Sequence, residues 1–112
     1  MQVDRSITLS VLDELIKECH SNSKDKGFWD GKVPATCAGE KIALMHSELS
    51  EALEVCRFKS ESNREQLLAE EFADCIIRIF DFAGAANLPL ADELLRKMTY
   101  NRTRPPMHGK RF

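Results

Sequence analysis

Two pairs of carboxylates have a spacing that could do chemistry. Glu48 and Glu51 are three residues apart, and so are Glu71 and Asp74. On a helix that spacing puts both members of a pair on one face. A soluble helix normally keeps its acids on its solvated side. These pairs have apolar flanks instead: Met45, Leu49 and Ala52 beside the first, Phe72, Cys75 and Ile76 beside the second. Both pairs therefore belong next to a core stripe. If their helices are antiparallel neighbours, four carboxylates converge. Two unit charges ~6 Å apart at an effective dielectric of ~20 repel by about 3 kcal/mol, and four acids contain several such pairs. A cluster of that kind either takes up protons or binds a cation. Oxygen-only ligands on fixed helices suit Mg2+ or Mn2+. The Glu-x-x-His element of di-iron bundles is missing, because His46 precedes Glu48 by two residues instead of following it by three. The competing reading is a set of solvated acids on amphipathic helices.

A basic complement follows. From Leu94 to Phe112 there is no acid, while Arg96, Lys97, Arg102, Arg104, Lys110 and Arg111 are all cationic. Lys97, Asn101 and Arg104 step by four and three and share a helix face, with Tyr100 one step away. A metal together with fixed cations is a means of holding polyphosphate. A solvated basic tail is the alternative. Lys41 lies seven residues before Glu48 and shares its face, within reach of phosphate or of Glu40 or Glu48. Trp29, the only tryptophan, sits in a Gly27-Phe28-Trp29-Asp30 stretch and reads equally as a base-stacking ring or a core residue. His20 and His46 read as structural, and His108 receives no role.

The elements that must position these residues are helical. Apolar residues recur at steps of three and four in four segments. The first spans about residues 6–20, with Ile7, Val11, Leu12, Leu15, Ile16 and Cys19. The second spans about 38–58, with Ile42, Met45, Leu49, Ala52, Leu53 and Cys56 as its stripe, and ends in a polar stretch, residues 59–63. The third spans about 64–86, with Leu68, Phe72, Cys75, Ile76, Ile79, Phe80 and Ala83. The fourth spans about 90–103, before Pro105 and Pro106. Residues 21–37 read as a long loop carrying Gly27, Gly31 and Pro34. Period-2 alternation is absent, so strands are not expected. The pattern implies an all-α antiparallel four-helix bundle. Long helices with exposed apolar flanks in so short a chain favour a dimer.

Composition sets the outer bounds. A chain of 112 residues is one domain, 1–112, and its short basic tail, 105–112, is expected to be flexible. Apolar residues make up 43% and charged residues 30%, enough apolar content to exclude wholesale disorder. No apolar run approaches ~20 residues, which argues against a membrane span. The net charge of −2 disfavours a dedicated nucleic-acid partner. Four cysteines without a CxxC pair read as reduced thiols, and the N-terminus lacks a secretory pattern, so the expected location is the cytoplasm.

Glu48-x-x-Glu51 followed by Glu71-x-x-Asp74 resembles the signature of the MazG-like, all-α nucleoside triphosphate pyrophosphatases. Lys97-x-x-Tyr100-Asn101-x-x-Arg104 resembles that family's phosphate-binding helix. The match covers about residues 38–104. Many relatives carry a further Glu directly before the first motif Glu, where this chain has Ser47, and the second repeat of the long two-domain relatives is missing. The resemblance implies a MazG-type helical bundle that forms a homodimer or a dimer of dimers. It implies Mg2+, or Mn2+, held by Glu48, Glu51, Glu71 and Asp74. It implies hydrolysis of a (deoxy)nucleoside triphosphate to the monophosphate and pyrophosphate. Glu48 would then orient or deprotonate the attacking water. Lys97, Asn101 and Arg104 would hold the outer phosphates, and Trp29 and the first helix would supply the base pocket. Another pyrophosphate substrate, such as phosphoribosyl-ATP or a guanosine alarmone, fits the same residues. A non-enzymatic helical dimerisation module is the alternative of a different class.

Overall fold

A computed structural model describes residues 4–58 and 61–112. Among these residues the chain is all-α: α1 (Arg5–Asp25), α2 (Pro34–Phe58), α3 (Arg64–Ala86) and α4 (Leu90–Arg102), with short 3-10 turns at Glu61–Asn63 and Pro106–Gly109. Residues 59 and 60 of the expected polar break lie outside the described residues. No helix there is long and apolar enough to cross a membrane.

The helix ends follow local chemistry. Asp4 caps α1, its Oδ1 accepting from the Ile7 amide at 3.1 Å. Asn87 ends α3 in the left-handed conformation, φ 54°, and the Leu88 amide reaches back to the Ala83 carbonyl at 3.0 Å. In the basic tail the His108 amide donates to the Pro105 carbonyl at 2.8 Å, closing the turn at Pro106–Gly109.

The structure corrects the long loop. α1 continues through Asp25 and α2 starts at Pro34, so the connection is only residues 26–33. Ser21 to Asp25 carry no apolar mark of helix because most of that last turn faces solvent. Pro34 looks like a breaker but occupies the first helical position, where no amide donor is needed. Gly27, φ 88°, makes the turn out of α1.

α3 is the spine. α1 and α2 pack on it from two sides, and α4 packs on α1. Contacts pair Glu48 with Arg78 and Met45 with Cys75 across α2 and α3, and His20 with Asp81 across α1 and α3. Glu51 meets Glu71 while Met45 meets Cys75, so α2 and α3 run antiparallel; His20 meets Asp81 while Ile16 meets Gly84, so α1 and α3 do as well. The core cluster joins Ile16, Ala83 and Ala91, with Leu9, Leu12, Phe80 and Leu90 packed against it.

Gly84 sets the α1–α3 distance. A Cβ there would meet the His20 Cβ at 2.8 Å and the Ile16 carbonyl at 3.1 Å. Gly84→Ala should therefore lower stability by about 1–2 kcal/mol by chemical denaturation, because the clash outweighs alanine's helix preference. An unchanged or raised midpoint would show that α1 can shift freely.

The arrangement is open. The radius of gyration is 16.4 Å, against about 13 Å for a compact chain of this length. The accessible surface is 8508 Å², against about 6,200 Å² for a compact monomer. The expected core stripes explain the excess. Ile42, Leu49 and Leu53 on α2, Phe72 and Ile76 on α3, and Ile7, Val11 and Leu15 on α1 are exposed. The face α2 buries instead carries Cys37, Lys41, Glu48, Ala52 and Val55. Glu48 and Lys41 are buried with Ala52 of the expected stripe, while Ile42, Leu49 and Leu53 of that stripe are left exposed.

Candidate functional site

The antiparallel α2–α3 pair brings the two acid pairs together. Glu48, Glu71 and Asp74 each offer a carboxylate oxygen within 4.8 Å of the others. Glu51 reaches Glu71, close enough to share a proton with it. Hydrogen bonding to Glu51 is the main cause that pushes Glu71 up to about 7; burial, the charges of Glu51 and Asp74, and a bond to Glu48 add to it. Glu71 Oε2 is buried and no protein donor reaches it. Glu48 is itself buried and accepts from Arg78 Nε at 2.9 Å. The donor set is oxygen-only, crowded, and short of cations on one member. Glu48, Glu71 and Asp74 could together hold a metal ion.

The raised Glu71 sets a pH dependence. Its folded-state affinity for a proton exceeds the ordinary value of 4.5. Between pH 4.5 and about 7 the folded state therefore binds more protons than the unfolded one, and stability falls as pH rises through that window. The metal-free protein should melt higher at the acid end of this window than at its neutral end, and saturating Mg2+ should flatten the slope. A flat profile without metal would contradict the crowding.

A pocket of about 440 Å³ opens beside the acids. Glu48 and Asp74 form part of its wall; Cys19, Asn22, Ser23, Lys26, Phe28, Lys41, Ile77, Arg78 and Asp81 form the rest. The size suits a small ligand. Lys41 is buried, and its Nζ donates to the Phe28 carbonyl at 3.1 Å and stands 4.4 Å from the centre of the Trp29 ring. It thus pins the 26–33 connection; Glu40 pairs with Lys32 instead. Trp29 is buried behind the wall, edge-on to His20 at 5.4 Å, and Phe28 lines the pocket in its place.

The basic residues of α4 meet each other but not this pocket. Lys97 Nζ and Arg104 Cζ lie 5.0 and 5.2 Å from the Tyr100 ring centre, and Arg104 Nη1 donates to Asn101 Oδ1 at 3.3 Å. None of the four lines the pocket. The cysteines are all free thiols.

Sequence reasoning missed Arg78 and Asp81. The signal for both was present. Glu71, Asp74, Arg78 and Asp81 step by three, four and three along α3, one continuous polar line in an apolar helix. His20, read as structural, bonds Asp81 and packs edge-on against Trp29.

No protein-family model, curated protein or solved structure matches the chain.

Proposed function

We propose that the protein is a Mg2+-dependent nucleoside triphosphate pyrophosphohydrolase, turning a (d)NTP into the monophosphate and pyrophosphate. The observation that carries this reading is the crowding of Glu48, Glu71 and Asp74, two of which, Glu48 and Asp74, line a ligand-sized pocket, with Glu71 Oε2 left without a donor. The motif-level resemblance to MazG-like enzymes supports it. Glu48, Glu51, Glu71 and Asp74 would hold Mg2+ or Mn2+, which when bound neutralises triphosphate charge and acidifies a water.

The chain's own residues do the rest. Glu48 orients the water that attacks the α-phosphorus; the P–O bond to the β-phosphate breaks and pyrophosphate leaves. Arg78 holds Glu48 in place at 2.9 Å. The pocket walls receive the nucleoside and exclude water around it. The resemblance would assign Lys97, Asn101 and Arg104 to the outer phosphates, although none of them lines this chain's own pocket. Positioning and fixed charge supply most of the rate in such a site.

Thermal melts separate this reading from a non-enzymatic helical module. Mg2+ or Mn2+ should raise the melting temperature, and an α,β-non-hydrolysable dNTP should raise it further, because ligands that bind only the native state stabilise it. A melt indifferent to both would refute the reading.

The same proposal includes a homodimer. The chain exposes about 2,300 Å² more than a compact monomer, within the range one partner of an obligate dimer buries. The Leu49, Leu53, Phe72 and Ile76 face is the natural seam. Light scattering should give twice the chain mass, and Leu53→Lys should reduce it toward the monomer. A wild-type monomer with a cooperative melt would contradict the dimer.

A further inference from the structure

The buried Asp81 carboxylate is not used by the metal site or by the hydrolytic step. It stands on α3 two turns beyond Asp74, is 8% exposed and forms part of the pocket wall. Its Oδ1 takes both neighbouring donors: Trp29 Nε1 at 2.9 Å and His20 Nδ1 at 2.9 Å. No described donor bonds Oδ2, and that atom is not among the buried orphans. A carboxylate anchored through one oxygen, on a residue that lines a cavity, leaves the other as a fixed hydrogen-bond acceptor. The donors around Oδ1 hold its plane: an indole in the core and an imidazole whose Cβ is packed against Gly84. Rigidity of that kind turns an acceptor into a selector, because the ligand cannot move it aside.

We propose that Asp81 Oδ2 reads the base of the bound nucleotide and selects one that presents an exocyclic amino group, a 4-aminopyrimidine or a 6-aminopurine, over its oxo counterpart. The inference rests on the nucleotide reading above. An amino N–H donates to the carboxylate; a carbonyl oxygen in the same place meets a second acceptor and is repelled. A site built around a buried acceptor rejects the analogue without the donor, since both groups are then left unpaired.

Isosteric replacement gives an inversion. In Asp81→Asn the amide oxygen takes the Oδ1 place and keeps both the Trp29 and His20 bonds. The amide nitrogen takes the Oδ2 place and offers a donor where an acceptor stood. The variant should then favour the oxo base.

The test is calorimetric titration of the full-length protein in Mg2+ with two matched pairs, dCMP against dUMP and AMP against IMP, for wild type and Asp81→Asn. The wild-type protein should bind at least one amino member about tenfold tighter than its oxo partner. The ratio should fall below one in Asp81→Asn, with the Mn2+-induced rise in melting temperature unchanged. The wild-type arm needs no variant to fold, and a wild-type preference for the oxo members overturns the inference by itself. Nucleotide binding with a ratio that Asp81→Asn does not move overturns it too, and leaves the pyrophosphohydrolase reading standing. Failure of every nucleotide to bind a wild-type protein that still responds to Mn2+ overturns both.

Discussion

Glu71→Gln should cut pyrophosphate release by about a hundredfold or more, the scale seen when one oriented group is removed from a charge-stabilising site. The same substitution should raise the melting temperature of the metal-free protein near neutral pH. The two effects have one cause. Glu71 faces Glu51, Asp74 and Glu48, and their company pushes its carboxyl up to about 7. An amide removes the repulsion and gives up a ligand oxygen. Groups that strain the folded state at a functional site characteristically trade stability for activity in this way. The check is a melt in EDTA beside an assay in Mg2+. If Glu71→Gln lowers the metal-free melting temperature, the four acids are not crowded as described. If it retains full activity, Glu71 is not a ligand.

Arg78→Leu should show the reverse dependence on metal. Glu48 is almost fully buried, and Arg78 Nε is its hydrogen-bonding cation. Removing one partner of a buried ion pair costs more than the pair contributes, because the survivor is stranded. Arg78 is itself about one-third exposed, which moderates the loss; about 1–3 kcal/mol is expected in EDTA. Mg2+ should recover much of it, since a cation on Glu48, Glu71 and Asp74 replaces the missing positive charge. Urea denaturation with and without Mg2+ reads the difference. Equal losses in the two conditions would mean that Arg78 supports the fold and has no electrical link to the acid site.

The helices were legible because their apolar residues recur at three and four. That periodicity places α3 and the start of α4 to the residue, and α1 and α2 through most of their length. It says nothing of a polar last turn such as Ser21–Asp25, and it mistakes Pro34 for a stop. It also identifies which side of a helix is apolar without saying what covers that side. On α2 the Ile42, Leu49 and Leu53 stripe was expected to be core and is exposed, while Glu48 and Lys41 are buried. An acid pair flanked by leucines is compatible with either orientation, and the helix partner decides. The convergence of Glu48, Glu51, Glu71 and Asp74 was legible from spacing alone, given antiparallel neighbours. The pocket was not. Its wall draws on the end of α1, the 26–33 connection, α2 and the second half of α3, segments brought together by the packing of α1 and α2 on α3.

Trp29 and Lys41 show the limit from another side. Both were read as residues that could meet substrate. The fold joins them to each other: the ammonium sits over the indole and bonds the Phe28 carbonyl. Lys41 still lines the pocket, and the pair also helps to place Phe28 and Asp81 there. The α4 set, by contrast, forms a coherent face around Tyr100 outside the pocket of its own chain. Spacing reveals that such residues act together, but not which cavity they act on.

The most direct measurement is pyrophosphate release from the common ribo- and deoxyribonucleoside triphosphates, each in Mg2+ and in EDTA, with Asp74→Asn and Glu51→Gln beside wild type. The account predicts Mg2+-dependent pyrophosphate, with no orthophosphate, from at least one substrate, and its loss in both variants. Silence across the panel from a folded protein, or activity that survives EDTA or either substitution, would contradict it.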